Sequence, residues 1–311
     1  MTGQPIIAER FAQIAGVCTR VLEVPGDGPA ILLLHGFTDS ADSWRPLLAE
    51  LAARSRRAVA VDLPGSGHAP TLGRPALPSL DRFADGFVHA YAGGDGAVLV
   101  GNSLGGLVAL RAAARSGLPL LAVAGLGPAG LAYHQRLELL ARWLTRLDPV
   151  LRVLDRLPVP APIVRGALRV LYDRRLARGR GDASLGRRYA SHIDGVRDLG
   201  RIRGDLIALN RDETHLSPDT LRNIGMPVLL VWGDTDHLAD VKGAPILLRT
   251  VAESRLVVLD DCGHCPQVEA PDVVARLLVT LPASALPHEV GGTDRADGAT
   301  APQPNITWEK S

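Results

Sequence analysis

Short apolar runs punctuate the chain: Ala30 to Leu34, Ala58 to Val61, Ala97 to Val100, Leu120 to Ala124, Pro227 to Val231 and Leu256 to Leu259, each ending near Gly, Pro or Asp. Unbroken runs of this length, without polar alternation, predict strands buried on both faces, the habit of a parallel sheet. Between them, Ser43 to Arg54, Leu80 to Tyr91, Ser103 to Arg115 and Pro266 to Leu281 place apolar residues at three- and four-residue steps and predict helices. Strand and helix alternate. The pattern therefore predicts an α/β protein with a mostly parallel, doubly wound sheet covered by helices.

From about Ala129 to Arg222 the alternation stops, and leucine- and arginine-rich helical segments take its place. Leu137, Leu140, Leu144, Leu147, Leu151 and Leu154 keep helical spacing against a polar side of Arg136, Glu138, Arg142, Arg146 and Arg152, with Pro149 dividing or kinking the helix. This organisation predicts a core in two pieces, residues 1–128 and 223–283, with a helical cap inserted over 129–222. Beyond about residue 283 the composition turns to Gly, Thr, Asp, Ala and Pro without any period, so 284–311 is expected to be a disordered tail.

A length of 311 residues with 46% hydrophobic side chains can bury a large core. The formal net charge of +1 gives no reason to expect nucleic acid or an acidic membrane as a partner. Met1 to Arg10 lacks the basic start, apolar middle and small-residue cleavage site of a secretory signal, so a cytoplasmic location is expected. The weakly charged stretch from Gly117 to His134 contains Pro119, Pro128 and several glycines, which suits core strand and loop rather than a membrane-spanning helix. Cys18, Cys262 and Cys265 are too few for a disulfide framework. Asn305-Ile306-Thr307 matches a glycosylation acceptor, but without a secretory signal it reads as chance.

Candidate chemistry centres on Gly101-Asn102-Ser103-Leu104-Gly105, which follows one apolar run and opens a helical pattern. A strand-to-helix turn this tight needs glycine on both sides, and it leaves the serine hydroxyl exposed at the strand's carboxyl end above a helix amino terminus. A serine hydroxyl is a weak nucleophile at neutral pH, so it needs a histidine to take its proton and an acid to orient that histidine. Both lie downstream, in loops that follow predicted strands: Trp232-Gly233-Asp234-Thr235-Asp236-His237, and Asp260-Asp261-Cys262-Gly263-His264-Cys265. Loops at the carboxyl ends of parallel strands converge on one crevice, so these distant positions can meet. Asp234 and Asp236 both remain open as the acid. Asp260 and Asp261 stand too close in sequence to His264 to orient it, and Asp62, which precedes Ser103 and opens a Pro-Gly turn, reads as structural.

With these segments in order, the chain resembles the α/β-hydrolase superfamily, in its cap-bearing branch of esterases, lipases, carbon–carbon hydrolases and cofactor-free haloperoxidases. The resemblance rests on His35-Gly36-Phe37, on Asp62-Leu63-Pro64-Gly65-Ser66-Gly67, on the elbow around Ser103, and on Gly263-His264. It implies an α/β-hydrolase fold and a triad of Ser103, His264 and, by the Gly-x-x-Asp spacing, Asp236, with Asp234 as the alternative. It also implies an oxyanion hole built from the amides of Leu104 and Phe37. His35 then reads as a hydrogen-bonding residue beneath the oxyanion loop.

The expected activity is hydrolysis of small or medium carboxylic esters, with no cofactor and no metal. The elbow's Gly-Asn-Ser also resembles carbon–carbon hydrolases of ring-cleavage diketones, although many of those carry tryptophan where this chain has Cys265. A third reading is a ligand-binding protein of the same fold without turnover. Cys262-Gly263-His264-Cys265 matches the redox string of thioredoxin-like proteins, but it lies near the end of a long α/β chain and reads as two ordinary cysteines flanking the histidine. Arg165, Arg174, Arg175, Arg187 and Arg188 are read as solvated surface. Oligomeric state is left undefined by the sequence.

Overall fold

In the computed structural model, residues 6–132, 199–212, 216–281 and 306–310 are described. Each predicted apolar run is a strand: β3 (Asp27–Leu34), β4 (Arg56–Val61), β5 (Ala97–Asn102), β6 (Leu120–Leu126), β7 (Val228–Gly233) and β8 (Ser254–Asp260). Ahead of them stand β1 (Ala8–Ile14) and β2 (Val17–Val24), and β9 (Ile306–Lys310) follows. Among the described residues they form one sheet in the order β1-β2-β4-β3-β5-β6-β7-β8-β9. Pairing is parallel from β4 through β9, while β1–β2 and β2–β4 are antiparallel.

The middles of the central strands are apolar because each is buried on both faces. In β3, Ala30, Leu32 and Leu34 enter one core, and Ile31 and Leu33 enter the other. The first core is closed by α2 (Ala76–Tyr91) through Leu80, Phe83 and Phe87, by α3 (Leu104–Ala113) and by α6 (Ala244–Thr250). The second is closed by Trp44, by Leu47, Leu48 and Leu51 of α1 (Arg45–Ala53), and by Val273, Val274 and Leu278 of α8 (Pro271–Thr280). Helices on both faces make the sheet doubly wound, as the alternation predicts.

Two features depart from the sequence reading. The β1–β2 hairpin carries no long apolar run: β1 is exposed along most of its length, and β2 buries Arg20 at its centre. Arg20 is tolerated there because Asp62 and Asp42 both accept hydrogen bonds from its guanidinium, which holds its charge. The second departure is in the tail expected to be disordered over 284–311. Ile306–Lys310 instead form β9, which lies parallel to β8 with Ile306 opposite Leu256 and Lys310 opposite Asp260. An open sheet edge offers unpaired backbone groups to any extended segment, whatever its composition.

β6 pairs directly with β7, although a connection of about a hundred residues separates them in the chain. Leu216 N–H donates to the Gly130 carbonyl at 2.9 Å, bringing its outgoing and returning ends together. On the returning side, α4 (Leu199–Arg211) precedes α5 (Pro218–Arg222). Arg74 pairs with Asp205 at 2.9 Å, and Asp212 accepts the Leu77 N–H at 2.6 Å, favouring the amino end of α2. The leucine stripe from Leu137 to Leu154 and the arginines Arg165 to Arg188 lie outside the described residues. No described helix is long and apolar enough to cross a membrane.

Candidate active site

Ser103 sits between β5 and α3 with φ 52° and ψ −113°, in a region that side chains rarely adopt. The flanking glycines explain how the turn closes. A Cβ on Gly101 would stand 2.1 Å from the Gly105 carbonyl oxygen, and one on Gly105 would stand 2.1 Å from that of Leu34. Contacts that short exclude every side chain, so the Gly-x-Ser-x-Gly pattern follows from steric necessity at this turn. Ser103 donates its N–H to the Leu126 carbonyl, and its own carbonyl accepts from Leu107 and Ala129. The elbow is thereby tied to its helix and to the loop after β6.

β5, β7 and β8 run parallel, so the loops that follow them share one edge of the sheet. His264 Nδ1 hydrogen-bonds Asp236 Oδ2 at 2.8 Å, with both side chains nearly inaccessible. The other carboxylate oxygen, Oδ1, accepts from the N–H groups of Leu238 and Ala239. Bonded in this way, Asp236 is placed as the hydrogen-bond partner of Nδ1 and orients the ring. The other ring nitrogen of His264, Nε2, is buried and has no hydrogen-bond partner among the described residues.

Gly127, at φ +47°, forms the floor of this pair. A Cβ there would lie 2.9 Å from Asp236 Oδ2 and 3.2 Å from His264 Nδ1. Gly36 approaches the elbow in the same way, its missing Cβ only 3.4 Å from Ser103 Cβ. Ser103, His264, Asp236 and the His35-Gly36-Phe37 loop thus occupy one neighbourhood.

The loops that follow β7 and β8 are laced to each other through Cys262. Thr235 donates both its N–H and its hydroxyl to the Cys262 carbonyl, at 3.0 and 2.8 Å. Asp234 Oδ1 accepts from Cys262 N–H at 3.2 Å. Asp234, the alternative acid, is therefore exposed and engaged with backbone, while Asp236 faces the imidazole. Sequence reasoning missed this lacing, and it missed Asn102, whose buried Nδ2 donates to the carbonyls of Leu126 and His264. A polar residue within an otherwise apolar strand end was the available signal.

Asp62 takes the structural part expected of it: its carboxylate accepts from Ala41 N–H, His68 N–H and the Arg20 guanidinium. Asp261 lies in the turn after β8 with φ 56°, and neither it nor Asp260 is the partner of His264 Nδ1. Cys262 and Cys265 are buried, and neither is in a disulfide. Burial, and after it the negative charges of Asp39, Glu269 and Asp236, push the Cys265 thiol well above its ordinary pKa. A redox-active pair needs an accessible, acidified thiol, so this environment is the opposite of a thioredoxin-like one. His134, His192, His215 and His288 lie outside the described residues.

A chain of parallel strands with a serine on a glycine-flanked elbow defines a hydrolase-type architecture, and comparison with known proteins places it. The family model described as alpha/beta hydrolase fold matches residues 29–271, and the chain belongs to that family; it is an alpha/beta hydrolase. It is 27% identical to monoacylglycerol lipase ABHD6 of Mus musculus over 286 residues, covering 84% of this chain and 77% of the relative. It is 25% identical to 2-hydroxy-6-oxo-6-(2'-aminophenyl)hexa-2,4-dienoic acid hydrolase of Metapseudomonas resinovorans over 288 residues, covering 88% and 90%. Among solved structures, a membrane phospholipase A described as a bacterial virulence factor superposes with a TM-score of 0.73 at 23% identity, covering 90% of this chain and 86% of that one. That likeness bears on the fold alone.

Proposed function

We propose that this chain is a serine hydrolase that cleaves small or medium carboxylic esters through an acyl-enzyme. Ser103 Oγ attacks the ester carbonyl while His264 Nε2 takes its proton, and Asp236 steadies the imidazolium that results. The carbonyl oxygen becomes negative and is met by the amides of Leu104 and Phe37. Leu104 opens α3, where amides have no partner within the helix. Collapse breaks the carbon–oxygen bond to the alcohol, which leaves with the proton from His264. Water then attacks the acyl-enzyme, giving its proton to His264, and Ser103 leaves with that proton returned.

The observation that carries this reading is the buried Asp236–His264 pair seated on Gly127 beside a strained elbow serine. An ester substrate is favoured by apolar neighbours of the nucleophile, Leu104 and Ala129, and by the lipase named among the relatives. The fitting substrate partner is a small molecule, and the reading needs no cofactor, nucleic acid or membrane insertion. It keeps the expectation of a cap over 129–222, most of which lies outside the described residues.

The test is a fluorophosphonate label followed by peptide mapping. An adduct on Ser103, lost in Ser103→Ala together with esterase turnover, is the expected result. Absence of label with retained ligand binding would favour a non-catalytic member of the fold. A second reading, hydrolysis of a carbon–carbon bond in a ring-cleavage diketone, is favoured by the Gly101-Asn102-Ser103 elbow and by the dienoic acid hydrolase among the relatives. A panel of esters, lactones and vinylogous diketones separates the two.

A further inference from the structure

Asp236 stands where the residues after it stand, because its Oδ1 accepts the N–H groups of Leu238 and Ala239 at 2.8 and 3.1 Å. The Ala239 carbonyl in turn receives the indole N–H of the fully buried Trp232 at 3.1 Å. Asp240 accepts the Lys242 N–H at Oδ1, and its carbonyl accepts Gly243 N–H at 2.9 Å, which closes a single helical turn over Val241–Gly243. Residues 236–243 are tied into one hydrogen-bonded unit, with Asp236 at one end and Gly243 at the other.

The Gly243 end rests on the long connection between β6 and β7. A Cβ there would stand 2.7 Å from both the Ala132 nitrogen and the Leu131 carbonyl carbon, and 2.8 Å from Ala132 Cβ. Asp240 N–H also donates to the Ala132 carbonyl, in a long bond of 3.4 Å. Conformation does not ask for glycine at this position: φ −77° and ψ −24° are ordinary right-handed helix, which alanine adopts more readily. Space alone asks for it. The connection touches the site before it reaches this point, since Ala129 N–H donates to the Ser103 carbonyl and Gly127 underlies the Asp236–His264 pair.

We infer that Gly243 is a positioning residue for Asp236: its close seat on Leu131–Ala132 fixes residues 236–243, and through them the carboxylate that meets His264. This rests on the proposed role of Asp236. The path of the connection is thereby part of the geometry of the site, and a shift of Ala132 against Gly243 is felt at the imidazole. On the returning side, α4 is fastened elsewhere. Arg74, in the loop between β4 and α2, pairs with Asp205 of α4, and β3, β5 and β6 stand between β4 and β7 in the sheet.

The experiment compares wild type, Gly243→Ala, Ala132→Leu and Arg74→Ala on a chromogenic acetate ester, with a thermal midpoint to show that each variant folds. It reads kcat, KM, the indole ¹H–¹⁵N resonance of Trp232, and the low-field ¹H resonance of the proton between His264 Nδ1 and Asp236 Oδ2. Gly243→Ala presses on the contact from the loop, and Ala132→Leu presses on it from the connection. Both should lower kcat by about tenfold at little-changed KM, and both should move the Trp232 and His264 resonances. Arg74→Ala loosens α4 and should leave the two resonances in place.

Either folded variant of the contact overturns the inference if its kcat or its His264 resonance stays at the wild-type value. So does Arg74→Ala if it moves the His264 resonance as far as Gly243→Ala does, since general loosening would then suffice. Should Gly243→Ala not fold, Ala132→Leu carries the same test at a partly exposed position. Failure of the underlying reaction looks different. A wild type that neither turns over ester nor takes the fluorophosphonate on Ser103 ends that reading, as does an Asp236→Asn that keeps wild-type kcat, whereas failure of the inference leaves a working enzyme with indifferent variants.

Discussion

Asn102 and His264 stand 162 residues apart in the chain, yet the side-chain amide of the first donates to the backbone carbonyl of the second at 2.9 Å. The same NH₂ group gives its other proton to Leu126. The residue immediately before Ser103 therefore holds the backbone of His264 and the end of β6 in one fully buried fork. Losing it orphans two buried carbonyls, at a cost of about 1–3 kcal/mol each. Asn102→Ala is expected to lower both the urea midpoint and kcat, the latter by up to about a hundredfold through misplacement of the imidazole. Parallel urea melts and ester kinetics check this.

The two aspartates of the acid loop should separate cleanly. Asp236→Asn leaves the imidazole without an anionic partner and should cost on the order of ten-thousandfold in kcat. Asp234→Asn can still accept the Cys262 N–H through its amide oxygen, and it is exposed, so it should remain within about tenfold of wild type. Equal losses in the two variants would contradict the geometry.

Gly127 should be intolerant of even one added carbon. Its φ of +47° disfavours any Cβ, and the new atom would stand 2.9 Å from Asp236 Oδ2. Gly127→Ala is expected to reduce the fluorophosphonate labelling rate of Ser103 by about a hundredfold, by pushing the acid–base pair off its floor. Stopped-time labelling followed by intact mass measurement gives the rate.

Acid should destabilise the β2 corner through Asp42. Burial alone would raise its pKa, but hydrogen bonds from Arg20 and Arg45 outweigh burial and hold it below the ordinary 3.8. A carboxylate whose folded pKa is depressed contributes stability above its unfolded pKa, and that contribution is lost as pH falls through the folded value. The urea midpoint should therefore drop as pH is lowered through and below about 4, and Asp42→Asn should flatten that part of the profile. A variant whose acid limb matches wild type would exclude Asp42 as the cause.

Thiol reagents should find Cys18 and leave the base loop alone. Cys18 is exposed, whereas Cys262 and Cys265 are buried and the Cys265 thiol is held protonated. Native protein should take up a disulfide reagent at Cys18 at pH 8 and keep its esterase activity, and denatured protein should react at all three cysteines. Loss of activity tracking modification of Cys265 in the native state would show that the loop opens.

The parallel strands were legible because burial on both faces keeps their middles apolar, and Ala30 to Leu34 or Ala97 to Val100 admit few other readings. β1 and β2 escaped because an edge hairpin needs no such run, and because the buried Arg20 depends on Asp42 and Asp62, partners set by the fold. β9 escaped because what makes Ile306–Lys310 a strand is the vacant edge of β8, a property of another part of the chain. Within the site, glycines announced the elbow, since only they fit where Cβ contacts would fall near 2 Å.

By itself, the sequence determined what local sterics and burial dictate: strand and helix alternation, the turn at Ser103, and an ordered supply of serine, aspartate and histidine at strand ends. Tertiary structure alone decided which aspartate faces His264, since Asp234 and Asp236 differ only in the direction the loop gives them once Thr235 is bonded to Cys262. It also decided the fork at Asn102. Hydrogen bonds between residues remote in sequence are directional and short-ranged, so their partners exist only after the sheet has brought its loops to one edge.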